Sequence, residues 1–257
     1  MNISAVVILS IIEGLTEFLP ISSTGHLILA AKILNIPNTS FVKSFEIFIQ
    51  LGAILAVLYI YSLTIWKKRS IGPKIAAAFF PTALVGLVFY REIKDVLLGN
   101  SLITVTALFI GGILLMFTEK LRTDKTQPIK NLEQISFRQA FTIGVFQSLS
   151  VIPGMSRAGA TIIGGMILGL SRKTAVEFSF ILAIPTMMAA AGLDLYKESF
   201  RFSRQESIYL LTGIIISFLT AITGIKFLLR FIQKNSFTYF GIYRIIIALL
   251  FFYFFIS

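Results

Sequence analysis

Two acidic residues four positions apart, Glu13 and Glu17, stand just before the run Pro20-Ile21-Ser22-Ser23-Thr24-Gly25-His26. A second polar run, Pro153-Gly154-Met155-Ser156-Arg157-Ala158-Gly159, interrupts another apolar stretch in the second half of the chain and is followed by Thr161. At i, i+4 spacing the two carboxylates share one helix face. A helix that restarts inside an apolar stretch offers free N–H groups and the positive end of its dipole, which together bind anions. The Arg157 guanidinium adds a fork that matches phosphate oxygens, so a phosphate or diphosphate is the ligand these residues fit. Ser22, Thr24, Ser156 and Thr161 offer hydroxyls to hold it. Two carboxylates would repel that ligand unless a divalent cation such as Mg2+ or Ca2+ bridges them or one of them is protonated. Glu13 and Glu17 therefore imply a metal or a proton.

Each of these residues has an ordinary use as well. Ser22, Ser23, Thr24 and Ser156 are the types that cap a helix after a break, His26 can be a packing residue, and Arg157 can pair structurally with Glu13 or Glu17. Their joint presence at two matching breaks is what favours a site, because ionisable groups at membrane depth cost several kcal/mol and survive where they face a cavity or each other. Glu46, Glu177 and Arg244 lie on continuous apolar spans without a neighbouring break and are read as structural or supporting, and Asp194, at a span end, as interfacial.

The elements that must position these residues belong to a membrane. Of 257 residues 56% are hydrophobic and 14% charged, with a mean hydropathy of +0.87, whereas soluble domains carry about a quarter charged residues. The net charge of +11 comes from short tufts of Lys and Arg between apolar runs rather than from one basic face, so no nucleic-acid partner is expected. The chain has no Cys and one His, which excludes thiolate chemistry and a His-rich metal centre. The first 19 residues carry Glu13 and Glu17 but no Lys or Arg, unlike a cleavable signal peptide, and are expected to remain in the mature protein.

Six stretches are long enough to span a bilayer, which takes about 20 residues: 45–66, 73–90, 102–117, 174–193, 208–229 and 240–256. Segments 3–31 and 137–170, broken in the middle, read as re-entrant hairpins of two half-helices each. The breaks align, with Ser22 on Ser156, Gly25 on Gly159 and Glu13 on Gln147, and Phe45-Glu46 resembles Val176-Glu177. The fold class is thus an all-α polytopic membrane protein forming one integral-membrane domain, in which residues 1–130 and 131–257 repeat a hairpin followed by three spans. Three is odd, so the second hairpin enters from the face opposite the first, an inverted-topology repeat with its site at the midplane. The positive-inside rule places the Lys67–Lys74 tuft, Lys120, Arg122, Lys125, Lys130, Arg138, Arg172, Lys173, Lys226, Arg230 and Lys234 in the cytoplasm. Lys32, Lys43, Arg91, Lys94, Lys197, Arg201 and Arg204, both termini and the first hairpin then lie outside.

The run from Glu13 to Leu27 and the run from Pro153 to Thr161 closely resemble the two signature motifs of the bacterial undecaprenyl-diphosphate phosphatase (bacitracin-resistance protein) family, and Phe45-Glu46-Ile47-Phe48-Ile49-Gln50-Leu51-Gly52 is similar to a third stretch. The resemblance covers essentially the whole chain. It implies a hydrolase of the bacterial cytoplasmic (inner) membrane, opening to the outer face, that converts undecaprenyl diphosphate to undecaprenyl phosphate and recycles the lipid carrier for cell-wall synthesis. By motif, Glu13 and Glu17 correspond to the acidic pair holding a divalent cation, Ser23 to the nucleophile, His26 to its acid/base partner and Arg157 to the phosphate-binding arginine. Ser22, His26 itself or a water remain alternative nucleophiles. Ala158 departs from the Ser usual in the family, which leaves Ser156 and Thr161 to hold phosphate. The competing reading is a lipid-phosphate transporter or flippase, because broken helices in inverted repeats also build transporters. The oligomeric state is open, a homodimer being compatible.

Overall fold

Small polar residues ahead of apolar runs start the helices. In the computed structural model, which describes residues 1–37, 39–97, 100–121, 128–197 and 202–255, the Asn2 side chain accepts from the Ala5 N–H at 2.8 Å and opens α1, Ile3–Thr16. A turn over residues 17–22, with Pro20 in it, separates α1 from α2, Ser23–Ile33. Thr39 caps α3, Ser40–Lys67, and α4 follows at Ile71–Val88. A single turn, α5 at Tyr90–Glu92, runs into a π-helical turn at Ile93–Leu97, and α6 is Ser101–Leu121.

The second half begins on a capping box in which Ser136 and Gln139 satisfy each other's N–H groups, starting α7, Phe137–Ser148. A 3₁₀ turn at Leu149–Val151 and the Pro153-Gly154 turn separate it from α8, Arg157–Ile167. Then come α9, Arg172–Lys197, α10, Arg204–Lys234, opened by a Ser203–Glu206 capping box, and α11, Thr238–Phe255. Among the described residues regular structure is otherwise limited to a 3₁₀ turn at Leu132–Gln134 and one bridge between Ile129 and Leu170.

Five of these helices, α3, α4, α6, α9 and α10, are long and apolar enough to cross a membrane. The sixth expected span coincides with a shorter apolar stretch, Thr238–Phe254. Their outward faces fit lipid and not water: Leu55, Tyr59, Leu63 and Trp66 make a stripe along α3 that is 47%, 69%, 69% and 71% exposed, and apolar stripes of that length are not left facing water. The protein is an all-helical, multi-pass membrane protein.

Two helix pairs show how closely the elements pack. α1 lies on α10 and α7 on α4. At Gly14 an added Cβ would run into Thr220 and the Ser217 carbonyl, and at Gly144 into the Ala78 carbonyl. Small residues bring backbones together where apolar burial gives no advantage over lipid.

One end of the bundle gathers cations. There Lys68 donates to Asn131 at 3.1 Å, Lys74 to the Glu133 carbonyl at 2.6 Å, and Arg172 makes a fork to Glu119, which also accepts the Phe237 N–H at 2.9 Å. At the other end Lys32 meets Ser101, and Phe202 packs on Phe41 and Phe48. Of the residues used for the sequence topology, Arg122, Lys125, Arg201 and Ile256 lie outside the described residues, as do the side chains of Lys94, Asp194 and Lys197.

Candidate active site

Both helix breaks end on a serine whose backbone is in the same unusual conformation. Ser22 has φ 71° and ψ 93°, and Ser156 has φ 70° and ψ 116°. A positive φ costs a residue with a Cβ about 1 kcal/mol or more, so a strained serine at each of two matching places marks them as more than connectors. The bend turns the chain so that each serine caps the helix it starts: Ser22 Oγ accepts from the Gly25 N–H at 3.4 Å and Ser156 Oγ from the Gly159 N–H at 3.0 Å. The capping use of these two hydroxyls is therefore real, and Thr24 lies half-buried in the first turn of α2.

Glu17 joins the breaks. One of its oxygens accepts the Ser23 hydroxyl and the other accepts Arg157 Nη2 at 2.9 Å, with both partners of the ion pair under 10% exposed. Arg157 is further held by the Ser179 carbonyl at 3.0 Å and stands over the Phe18 ring, while its Nε is buried without a partner. Glu13 is fully buried beside Glu17, and neither of its oxygens has a hydrogen-bond donor. A buried carboxylate with no donor is costly. Glu13 and Arg157 Nε are thus open acceptor and donor at one place, which suits a cation and an anion bound together. Two adjoining carboxylate side chains are hard oxygen donors of the kind Mg2+ and Ca2+ take with phosphate; among the described residues no cluster of three His, Cys, Asp or Glu completes an all-protein metal cage.

Two hydroxyls have partners other than those expected of them. By motif His26 is the acid/base partner of Ser23, and at three residues' spacing inside a helix the two would share a face, but Ser23 is the first residue after the positive-φ cap, and its hydroxyl is turned to Glu17. His26 turns away: its Nδ1 is 2.7 Å from the Ser22 carbonyl, which can only accept, so Nδ1 carries a proton, and its Nε2 is 2.8 Å from the Tyr243 hydroxyl on α11, whose ring it stacks on. Thr161, expected to hold phosphate, has its hydroxyl engaged by the Arg157 and Ala158 carbonyls and by Ser179 instead. Ala158 is fully buried.

Two residues that the sequence did not bring forward, Ser179 and Tyr243, and one that it read as structural or supporting, Arg244, complete the site. Ser179 on α9 anchors both Arg157 and Thr161. Tyr243 holds the His26 ring. Arg244 is fully buried and places all five guanidinium N–H groups on carbonyls: Pro20 from the first break, Gly154 and Met155 from the second, and Ala107 and Leu108 from α6, at 2.8 to 3.2 Å. At Gln147, which aligns with Glu13, the amide donates to Thr82 and Thr186 and the carbonyl oxygen is buried and unpartnered. Glu46, on α3, lies within electrostatic reach of Glu13, while Glu177 pairs with Lys173 at 3.9 Å.

The chain resembles known proteins over its whole length. It is 51% identical over 250 residues to a protein named undecaprenyl-diphosphatase from Aquifex aeolicus, covering 97% of each chain. It is 48% identical to one of the same name from a Sulfurihydrogenibium species, covering 96% of each, and 49% identical to one from Campylobacter jejuni, covering 100% of this chain and 95% of that one. The family model described as bacitracin resistance protein BacA matches residues 6–250, which contain both breaks and every site residue above, and the chain belongs to that family.

Proposed function

We propose that this chain hydrolyses undecaprenyl diphosphate to undecaprenyl phosphate and inorganic phosphate in the bacterial cytoplasmic membrane, recycling the lipid carrier for cell-wall synthesis and thereby conferring resistance to bacitracin. The observation that carries the reading is the buried chain Ser23–Glu17–Arg157, which couples a hydroxyl to a phosphate-binding cation across the two breaks. That relatives about half identical over nearly the full length are named undecaprenyl-diphosphatase supports it.

In this mechanism the terminal phosphoryl oxygens compete with Glu17 for the guanidinium, beginning at the open Arg157 Nε. With Arg157 drawn to the phosphate, the Glu17 oxygen that accepts the Ser23 hydroxyl takes its proton. Ser23 Oγ attacks the terminal phosphorus, forming an O–P bond as the bond from that phosphorus to the bridging oxygen breaks, and undecaprenyl phosphate leaves. Water then attacks the phosphoserine; His26, its Nε2 released from the Tyr243 hydroxyl, accepts the water's proton and passes it to solvent, and Ser23 recovers its own from Glu17 as inorganic phosphate departs. The N–H groups at the starts of α2 and α8 neutralise the charge on the phosphoryl oxygens. Glu13, with Glu17, would hold the divalent cation, Mg2+ or Ca2+, whose chemistry when bound is to offset the phosphate charge.

The architecture belonging to this mechanism has six spans and two re-entrant hairpins in inverted repeats, with the site opening to the outer face. Supporting it are the matching backbone of Ser22 and Ser156 and the gathering of Lys68, Lys74 and Arg172 at one end. The same matching breaks favour one second reading, lipid-phosphate transport through the midplane. Purified protein in detergent, where there is no gradient to dissipate, decides between them: inorganic phosphate release is expected, and none would leave the transporter. Quenching a reaction with substrate labelled on its terminal phosphorus is expected to leave acid-stable label on Ser23; acid-labile label, or none, would replace the serine route by His26 or by direct attack of water.

A further inference from the structure

Arg244 is a cation in the apolar interior whose bonded partners are five backbone carbonyls and no carboxylate. Burying a guanidinium costs several kcal/mol unless each donor is satisfied, and here the satisfaction is complete. What it satisfies is specific. Pro20 lies two residues before Ser22, and Gly154 and Met155 are the two residues before Ser156. These carbonyls face away from the new helices and cannot be paired within them. One planar group from α11 thus grips both breaks at once and ties them to α6. The surroundings are cut to fit it: at Gly111 an added Cβ would run into the guanidinium itself, and at Gly159 it would stand 3.2 Å from Nη1. The preceding residue, Tyr243, holds His26 at 2.8 Å.

We infer that Arg244 is the positioning residue of this site: by clamping the two breaks it sets the spacing between the N-termini of α2 and α8, and so the distance from Ser23 to the phosphorus held by Arg157. The inference rests on the hydrolase reading above. A clamp on rigid breaks acts on the reacting geometry and not on the binding of the apolar tail, so its loss falls on kcat and spares KM. Displacements of about 1 Å cost on the order of 10²-fold in rate.

Two variants test it in different ways. Arg244→Lys keeps the charge but reaches at most three carbonyls with its three donors. Gly111→Ala removes no functional group but pushes the guanidinium off its partners. Each is purified, shown to be monodisperse and folded by its thermal unfolding, and assayed for phosphate release from undecaprenyl diphosphate, with turnover expressed per folded molecule. Expected is a kcat lower by about 10²-fold with KM within about threefold of the parent. A merely structural role would lower the yield or the unfolding temperature and leave kcat per folded molecule unchanged. If Arg244→Lys fails to fold, Gly111→Ala decides alone. A folded variant turning over within about twofold of the parent overturns the inference. A parent protein that releases no phosphate overturns the hydrolase reading and this inference with it, so the two failures are told apart by the control.

Discussion

Arg157 and Glu13 carry the electrostatics of the site, and each leads to a substitution or a removal with a definite sign. Arg157 uses Nη2 on Glu17 and Nη1 on the Ser179 carbonyl while Nε stays open, an arrangement that needs a planar fork. Lysine keeps the charge but only as a point, so Arg157→Lys is expected to lose on the order of 10²-fold in kcat, as other electrostatic clamps do; turnover near that of the parent would return Arg157 to a structural role. Glu13, with both oxygens lacking donors in a fully buried position, is expected to need a cation. Excess chelator should abolish phosphate release and added Mg2+ or Ca2+ restore it, whereas full activity in chelator would make Glu13 a protonated acid instead. At this scale the sequence was readable where residue types cluster: Glu13, Glu17, Ser22, Ser23, His26, Ser156 and Arg157 stand within two short runs. Arg244 could be read only as structural or supporting, because its partners are backbone carbonyls from three elements, and a carbonyl leaves no mark in the sequence. Ser179 was hidden for a related reason, as one serine in the apolar helix α9 looks like any other.

The two breaks are the elements on which the site depends, and their conformation separates glycine from alanine in a way that side-chain chemistry does not. Ser22 combines a cap with φ 71°. Ser22→Gly and Ser22→Ala both lose the cap, but alanine keeps the strain of the left-handed backbone and glycine does not. The glycine variant should therefore be the more stable by about 1 kcal/mol, seen as the higher unfolding temperature in detergent. Equal temperatures would mean that the turn relaxes and that its strain is not built in. The position of the breaks could be read from Pro20 and Pro153-Gly154 amid apolar residues, but the direction of the side chains at them could not. Helical spacing predicts that residues 23 and 26 meet, yet it applies only inside a helix, and Ser23 sits at the boundary, where the cap's backbone decides where the hydroxyl points. The same logic explains Thr161: well inside α8, its hydroxyl bonds back to its own helix, as mid-helix threonines do.

On the scale of the molecule, the remaining question is which ends of the hairpins share a face of the membrane, and the contacts at the two ends turn it into an experiment. α3 runs from Ser40 to Lys67 and is long enough to cross, so Lys43 and Lys67 must lie on opposite sides. If α1 and α2 form a re-entrant hairpin, Ser4 returns to the side of Lys43; if instead the segment crossed once, Ser4 and Lys43 would be separated. Likewise Arg138 and Lys173, at the two ends of the α7–α8 segment, are expected together on the side of Lys67, where Lys68 and Lys74 meet the chain around Asn131 and Glu133 and Arg172 meets Glu119. The abundance of Lys and Arg on that side is the ground for expecting it to be the cytoplasmic one. The chain has no cysteine, and Ser4, Lys43, Lys67, Arg138 and Lys173 are all exposed, so single cysteines at these positions can be placed without a competing thiol. A membrane-impermeant thiol reagent applied to intact cells should modify positions 4 and 43 and spare 67, 138 and 173, with all five modified once the membrane is opened. Labelling of 67, 138 and 173 with 4 and 43 spared would invert the protein and move the site to the cytoplasmic face. Labelling that separates 4 from 43, or 138 from 173, would overturn the re-entrant hairpins altogether, and with them the proposed midplane meeting of the α2 and α8 N-termini around phosphate.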